Sequence, residues 1–440
     1  MYDDPGVQSI GVNSSCASPQ AGANHRLATA GIVAVLLLMP MSAPVLLGQS
    51  ISESVFPLYV TPGLFLSDLA LAAAMVPAIF SIRRRTRSHS ILGWPLLGLA
   101  ITALGLAPLA AHPPFAIYSA ARWGLAWLIF WLFSRTQVAT ESLVRVFVLS
   151  LTVQSLFGLG QVIVRGPLGL PGELALPADQ WGAAVIETGG MPFLRAYGLA
   201  FHPNVLAGFL VVGMLVGLPL TRRKAMRFAW WILGIGLALS FSRSAWLAMT
   251  LTIPAAVWWI VRHRPGLLPA VKSTLVVLAL SLLVIVAAVA RPFLTRFQPT
   301  QWLTERQSLV NRLSIGQYAL EAIGTAPLAG VGAGHFPAWV AEQHPQAVAE
   351  PVHNVVLLLT AEVGFLGMLL GLALFTGPLL VIIRHWEDLN QWAILFLLAS
   401  VALGLIGLAD SYPWSLNAGR ELMAFTLGVS ARESAPELSG

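Results

Sequence analysis

Apolar stretches recur along almost the whole chain, and each has about the 20 residues needed to cross the hydrocarbon core of a bilayer. They fall near residues 27–48, 62–82, 91–110, 115–134, 143–163, 198–220, 228–242, 244–261, 272–290, 354–383, 391–409 and 417–431. Of the 440 residues, 57% are hydrophobic and only 10% are charged, a composition outside the range of soluble domains. The pattern predicts an all-α polytopic membrane protein of about twelve transmembrane helices, with a long, partly helical loop facing outward.

Basic residues follow every second apolar segment, as in the run from Arg83 to Arg87 and the run from Arg222 to Lys224. Because basic loops stay on the cytoplasmic side, these loops and both termini are expected to be cytoplasmic. The expected order is a disordered cytoplasmic tail (1–25), nine transmembrane helices with an outer loop at 164–197 (26–290), a large periplasmic loop (291–353), three more helices (354–431) and a second cytoplasmic tail (432–440). The basic surplus lies beside membrane segments, so it does not indicate nucleic-acid binding.

Arginine supplies the positive charge on the side assigned to the exterior, whereas both lysines lie on the cytoplasmic side. The outward loops and the adjoining helix ends carry Arg195, Arg243, Arg306, Arg312 and Arg420, among others. A guanidinium presents a fixed fork of donors that matches phosphate oxygens. This distribution indicates chemistry on an anionic, lipid-borne group at the outer membrane surface.

Two arginine motifs precede the large loop. Arg195 lies just before His202-Pro203-Asn204, where a capped helix start would make an anion site beside the arginine. A plain turn with an arginine that reaches the interface remains the alternative, and His202 by itself fits a structural role. The second motif, Ser242-Arg243-Ser244, begins the eighth segment, where either a substrate contact or an interfacial anchor is possible.

The large loop is predicted to contain an amphipathic helix from Glu305 to Ile323, lying near the membrane surface with Arg312 toward its polar side. Thr325-Ala-Pro327 would end that helix. The glycines that follow, at positions 330, 332 and 334, lack the preceding strand and the Lys-Ser/Thr pair of a phosphate loop. A nucleotide is therefore not expected.

The strongest candidate for catalysis is His353, which begins the tenth apolar segment together with Asn354. Histidine titrates near neutrality and can accept a proton from an incoming hydroxyl, although a His-Asn helix cap would look the same. Glu362 lies over two turns into that helix. Asp410 and Arg420 bracket the last outward loop, and Asp410 could orient His353. No acidic pair with metal-binding spacing occurs on an outward loop, so metal-independent chemistry without a cofactor is favoured.

In combination, these motifs resemble the O-antigen ligase/polymerase superfamily of bacterial envelope glycosyltransferases. The matching residues run from about 60 to 430 and comprise Arg195…Gly198…Pro203-Asn204, Ser242-Arg243-Ser244-Ala-Trp246, Asn311-Arg312, Pro327-Leu328-Ala-Gly330-Val-Gly332-Ala-Gly334-His-Phe336, and His353-Asn354…Leu357…Glu362-Val-Gly364…Gly367.

The resemblance implies transfer of a glycan from undecaprenyl diphosphate to an acceptor hydroxyl on the periplasmic face of the bacterial inner membrane. It implies His353 as the general base and Arg195 and Arg312 as ligands of the diphosphate, with Arg306 as a rival for the second position and Arg243 as a further contact. Glu362 and Asp410 are further catalytic candidates, and Asn204, Asn354 and Arg420 are candidates for substrate binding.

The sequence does not decide which acceptor the protein uses. A ligase would use lipid A–core, a polymerase a second lipid-linked glycan, and an oligosaccharyltransferase a protein Ser or Thr. A transporter of lipids or glycans is a different class, which would place ionisable residues near the membrane midplane. Asp68 is the clearest such residue, whereas the basic residues cluster at the outer side. We therefore expect an enzyme of the ligase type.

Overall fold

The computed structural model describes residues 19–81, 90–180, 182–186, 192–288, 290–295 and 302–434. Predictions for residues 1–18 and 435–440 lie outside these ranges. The α-helices of the described residues are α1 (Pro19–Leu38), α2 (Pro57–Val60), α3 (Leu66–Ser81), α4 (Trp94–Leu106), α5 (Pro113–Arg135), α6 (Thr140–Val164), α7 (Pro203–Gly217), α8 (Lys224–Leu239), α9 (Arg243–His263), α10 (Leu268–Ala288), α11 (Ala290–Thr295), α12 (Trp302–Thr325), α13 (Phe336–Gln343), α14 (Val355–His385), α15 (Gln391–Gly407), α16 (Tyr412–Ser415) and α17 (Asn417–Glu433).

Short 3-10 helices adjoin several of these helices, at Ser90–Gly93, Ala107–Leu109, Leu218–Arg222 and Pro265–Leu267, and two antiparallel pairs of very short strands complete the regular structure of the described residues. Strand β1 (Val45–Leu46) pairs with β2 (Gly63–Leu64), and β3 (Val185–Ile186) pairs with β4 (Phe193–Leu194). Both pairs lie in connections between long helices, so the protein is an all-α membrane protein, as the sequence predicts.

Each predicted apolar segment overlaps a helix in the described ranges. Seven helical stretches are long and apolar enough to cross a membrane: Ile91–Leu109, Pro113–Arg135, Thr140–Val164, Pro203–Arg222, Arg243–His263, Pro265–Val284 and Val355–His385. Shorter apolar helices are Arg26–Leu38, Leu66–Ile79 and Gln391–Gly407. The number twelve for membrane crossings therefore stays a prediction.

The ends of α1 differ from the sequence boundaries. The helix begins at Pro19, so residues 19–25, counted with the tail in the sequence, form its first turns. It ends at Leu38 rather than near 48, because Pro40 and Pro44 cannot continue a helix. The segment that connects α1 to α3 contains β1, α2 and β2, and it reaches the region of the candidate site.

The centre of the bundle is formed by α7, α15 and α17, which are buried along nearly their whole length. The helix α17 carries Arg420, Glu421 and Arg432 and would be costly against lipid. It is shielded by its neighbours instead. Aromatic side chains join it to α5: the rings of Phe133 and Phe425 pack edge to face at 4.8 Å between centroids.

The helix α14 is broken at Gly364, and the glycine-rich turn after α12 fills the break. Gly364 has φ 71° and ψ −164°, a conformation that residues other than glycine avoid. The break frees helix carbonyls, and the turn supplies their donors: the Val331 N–H donates to the Ala361 carbonyl at 2.8 Å. In return, the Phe365 N–H donates to the Pro327 carbonyl at 2.9 Å. The glycine motif thus locks the large loop onto α14.

The helix predicted in the large loop is present as α12, which begins three residues earlier than expected and ends at Thr325; its place near the membrane surface stays a prediction. The structure also shows which side of α12 is buried. Ile315, Ala319 and Ala322 are buried, whereas Leu313 and Leu320 are 69% and 61% exposed. The small side chains let α12 pack closely, and the exposed leucines suit the membrane surface on which the helix was expected to lie.

Candidate active site

A chain of hydrogen bonds at the N-terminal end of α7 joins three residues that are far apart in sequence. Arg195 Nη2 donates to Asn204 Oδ1 at 2.5 Å, and Asn204 Nδ2 donates to Asp410 Oδ2 at 2.5 Å. Arg195 Nε also donates to the Ser240 carbonyl at 2.7 Å, and the whole side chain is buried. The structure therefore brings Arg195, Asn204 and Asp410 together and fixes the arginine from two sides.

His202 is the N-cap of α7, which agrees with its predicted structural role. Its Nδ1 accepts the Asn204 backbone N–H at 3.1 Å, while Pro203 occupies the first helical position. Burial lowers the pKa of His202 well below its ordinary value, and the charges of Arg195, His353 and Arg312 lower it further. Those three side chains are thus close to the neutral cap.

His353 lies just before α14 and pairs with an acidic residue three positions earlier. Its Nε2 is 3.3 Å from Glu350 Oε1, and the two side chains are 24% and 34% exposed. The Nδ1 atom is buried and has no hydrogen-bond partner among the described residues. If Nε2–H points to the carboxylate, Nδ1 is the unprotonated nitrogen and can act as a base.

Tyr59 of α2 borders the same cluster from the loop between α1 and α3. Burial raises the pKa of Tyr59 above its ordinary value, and the carboxylates of Glu350 and Asp410 raise it further. Its ring also packs edge to face on Phe201 at 6.0 Å between centroids. The phenol therefore stays protonated and lies near both acidic residues.

The remaining candidates for binding the diphosphate differ in their position and exposure. Arg312 is on α12, half-buried, and close enough to act on His202. Arg306 is on the same helix, and its side chain lies outside the described part of the structure. Arg243 is the first residue of α9 and is exposed. It follows directly on the hairpin whose Ser240 carbonyl holds Arg195.

Two other candidates have structural partners. Asn354 is the N-cap of α14: its Oδ1 accepts the Leu357 N–H at 3.0 Å, and its Nδ2 donates to the Leu408 carbonyl at 3.2 Å. Glu362 is buried at the break of α14, where its carboxylate accepts backbone N–H groups of Gly334 and Phe336. Both residues hold the framework around the cluster, and the structure does not join either of them to His353 by a hydrogen bond among the described residues.

Arg420 lies deeper, in a second group of buried charges. Its Nε donates to the Trp414 carbonyl at 2.7 Å, and its guanidinium stacks over Trp123 at 4.4 Å from the ring centroid. Nearby, Arg122 Nη1 is 2.7 Å from Asp68 Oδ2. The mid-segment carboxylate of Asp68 is therefore neutralised by an arginine rather than isolated.

An apolar groove begins beside the hairpin that holds Arg195. It runs between α7, α8, α9 and α10, and its walls include Leu237, Ala238, Trp246, Leu278 and Val286. The Trp246 indole donates to the Leu237 carbonyl at 3.0 Å, which joins two walls of the groove, α8 and α9. The groove therefore has a hydrocarbon lining that includes Trp246, about one turn after Arg243 on α9.

Sequence reasoning missed two members of the cluster. It expected Asp410 to orient His353, whereas the carboxylate beside His353 is Glu350 and Asp410 bonds Asn204. The spacing of three residues between Glu350 and His353 was a visible signal. Tyr59 gave no signal, because its neighbours Glu350 and Asp410 are far from it in sequence.

Residues 228–372 match the family model described as O-antigen ligase. This match supports the resemblance of the chain to the O-antigen ligase/polymerase superfamily. The matched third of the chain runs from α8 into α14 and contains Arg243, Arg312, the glycine-rich turn and His353. No curated protein matched the chain. A ligase- or polymerase-type function therefore rests on the family match. Arg195, Asn204 and Asp410 lie outside the matched residues and come near them only in the folded structure.

Proposed function

We propose that the protein is an O-antigen ligase-like glycosyltransferase that moves a glycan from undecaprenyl diphosphate to an acceptor hydroxyl of lipid A–core. The observation that carries the proposal is the pairing of His353 with Glu350, beside the fixed guanidinium of Arg195 and the positive charge of Arg312. A base and a set of phosphate-binding donors in one place are what glycosyl transfer from a diphosphate requires.

In the proposed reaction, the acceptor hydroxyl gives its proton to His353 Nδ1 and its oxygen attacks the anomeric carbon of the donor. The new carbon–oxygen bond forms as the bond to the diphosphate breaks, and the electron pair leaves with undecaprenyl diphosphate. Direct displacement inverts the anomeric configuration. Glu350 holds Nε2–H and stabilises the imidazolium that forms. A positioned base of this kind contributes about 10²–10⁴-fold in rate.

Arginines take the place that a metal ion holds in other diphosphate chemistry. Arg195 is held at Nε by Ser240 and at Nη2 by Asn204, so its charge is positioned before the donor arrives. Arg312 supplies a second charge from the large loop, with Arg306 and Arg243 as further contacts. We assign Asp410 a positioning role, because it acts on Arg195 through Asn204.

The apolar groove supports a lipid-borne donor. A polyprenyl chain entering between α9 and α10 would reach Leu237, Ala238 and Trp246, and we propose that its diphosphate then lies at the nearby Arg243 and Arg195. The chain binds by burying hydrocarbon, and the reaction draws its energy from the diphosphate bond, so no nucleotide or other cofactor is required. Membrane lipids are the remaining partners. The proposed setting is the bacterial inner membrane, with both termini cytoplasmic and the site periplasmic.

Transfer by the purified protein tests this proposal. The wild-type protein in nanodiscs receives undecaprenyl-diphosphate-linked glycan and a chelator of divalent metals. Lipid A–core, a second lipid-linked glycan and a Ser/Thr peptide are offered separately. We expect glycosylated lipid A–core and an equal amount of released undecaprenyl diphosphate. Product on the second lipid-linked glycan alone would make the protein a polymerase, and product on the peptide alone a protein glycosyltransferase. Donor that stays intact with all three acceptors would count against the enzyme.

A further inference from the structure

A polar cavity, separate from the apolar groove, is lined in part by Tyr59. It is enclosed by the loop between α1 and α3, by α5 and by the start of α17, and its lining includes Ser42, Thr61, Arg122, Ser415 and Arg420. None of these side chains has a role in the proposed transfer of the donor. The cavity is therefore a feature that the proposed chemistry leaves unexplained.

The cavity collects polar atoms that lack partners. The hydroxyl oxygens of Ser42, Thr61 and Ser415 are buried and have no hydrogen-bond partner among the described residues, and the same holds for Nε and Nη2 of Arg122. Buried polar groups are almost always satisfied, and leaving one unpaired is costly. Several such groups around one cavity indicate a ligand that supplies the missing hydrogen bonds.

The charges around the cavity argue for a neutral ligand. Arg122 is offset by Asp68 at 2.7 Å and by Glu421 at 3.9 Å. Arg420 lies near the carboxylate of Glu362. Because each arginine already has a carboxylate nearby, a phosphate would gain little Coulomb attraction. Hydroxyl groups, which both donate and accept, match the unpaired atoms better.

Aromatic side chains form the other walls: Tyr59, Phe65, Phe115, Tyr118 and Phe201. A sugar ring presents hydroxyls at its rim and carbon–hydrogen faces above and below, so it would match both the polar and the aromatic walls. Tyr59 also borders the His353 cluster, and Phe201 directly precedes His202. The cavity is thus adjacent to the proposed base.

We propose that this cavity binds one sugar ring of the glycan acceptor and presents its hydroxyl to His353. This inference rests on the proposed function. Tyr59 lines the cavity and is also influenced by the carboxylate of Glu350, the partner of His353. An acceptor ring in the cavity would therefore present its hydroxyl to His353 from the side of Tyr59.

The test uses Thr61→Val and Ser42→Ala, which remove unpaired hydroxyls without touching the ion pairs. Ser155→Ala is the matched control, because Ser155 Oγ on α6 is also buried and unpaired but does not line the cavity. We expect the acceptor KM to rise about tenfold in each cavity variant, since each loses one hydrogen bond to the ligand. The donor KM and the melting temperature should stay at the wild-type value, as in Ser155→Ala.

Other outcomes would overturn the inference. A rise in the donor KM would assign the cavity to the donor glycan, and unchanged KM values would make it a water-filled space. A fall in melting temperature, with KM unchanged, would make the hydroxyls structural. Calorimetric binding of delipidated core oligosaccharide to the wild type and to Thr61→Val needs no transfer. Binding that Thr61→Val weakens, in a protein that transfers nothing, would contradict the proposed function and leave the cavity's assignment standing.

Discussion

Gly364→Ala should release the glycine-rich turn from α14. A Cβ at this position would lie 2.1 Å from the Leu328 carbonyl oxygen, so the turn must move. The φ of 71° and ψ of −164° cost a residue other than glycine about 1–3 kcal/mol. Moving the turn also breaks two hydrogen bonds between the turn and α14, those donated by the N–H groups of Val331 and Phe365. Each contributes about 1 kcal/mol. Together the loss is about 3–5 kcal/mol.

The measurement is the free energy of unfolding from denaturant titration in detergent micelles, with transfer activity measured in parallel. Gly316→Ala is the control: Gly316 lies on α12, and a Cβ there meets nothing within 4 Å. It should stabilise the helix by about 0.5–1 kcal/mol. Equal stability of the two variants would refute the idea that the turn and the broken helix hold each other.

Burial and nearby positive charges lower the pKa of His202 in the folded protein. Between this lowered pKa and about pH 6.5, the ordinary pKa of histidine, the unfolded chain therefore binds more protons than the folded one. Stability should therefore fall as pH drops from 7 to 5, and His202→Asn, which keeps a cap, should flatten this slope in denaturant titrations. Arg195→Lys keeps the charge but loses the fork that bonds Ser240 and Asn204, and we expect about a 100-fold lower transfer rate; a rate within twofold of wild type would contradict the arginine's role. Ala238→Trp narrows the apolar groove, so KM should rise for a donor with a full polyprenyl chain but not for a short-chain donor, and equal changes for both would exclude the groove as the lipid site.

Much of the helical framework could be predicted from the sequence, because apolar length and proline position are local properties. The start of α7 at Pro203 and the end of α12 at Thr325 follow from such signals. The position of His353 at a helix start was also predictable. The partner of His353 was assigned to Asp410, since the sequence shows only which acidic residues are on the same side.

The remaining features depend on tertiary packing. The break in α14 needs Gly364 to meet the turn at residues 327–334, and hydropathy carries no trace of that contact. Asp68 looked like an isolated charge in an apolar segment until the fold placed its carboxylate 2.7 Å from Arg122. Tyr59 and the polar cavity required the loop between α1 and α3 to fold back. These non-local pairings account for what sequence reasoning missed.

The most direct test of the central claim compares His353→Ala with His344→Ala. His344 lies in the same large loop and has the same kind of partner, Glu321, at 3.0 Å, but it lies outside the proposed cluster. With metal-free transfer of glycan from undecaprenyl diphosphate as the assay, His344→Ala should keep the wild-type rate. His353→Ala should lose about 10²–10⁴-fold in rate while remaining folded and binding the donor. A folded His353→Ala protein that transfers glycan at the rate of His344→Ala would contradict the account.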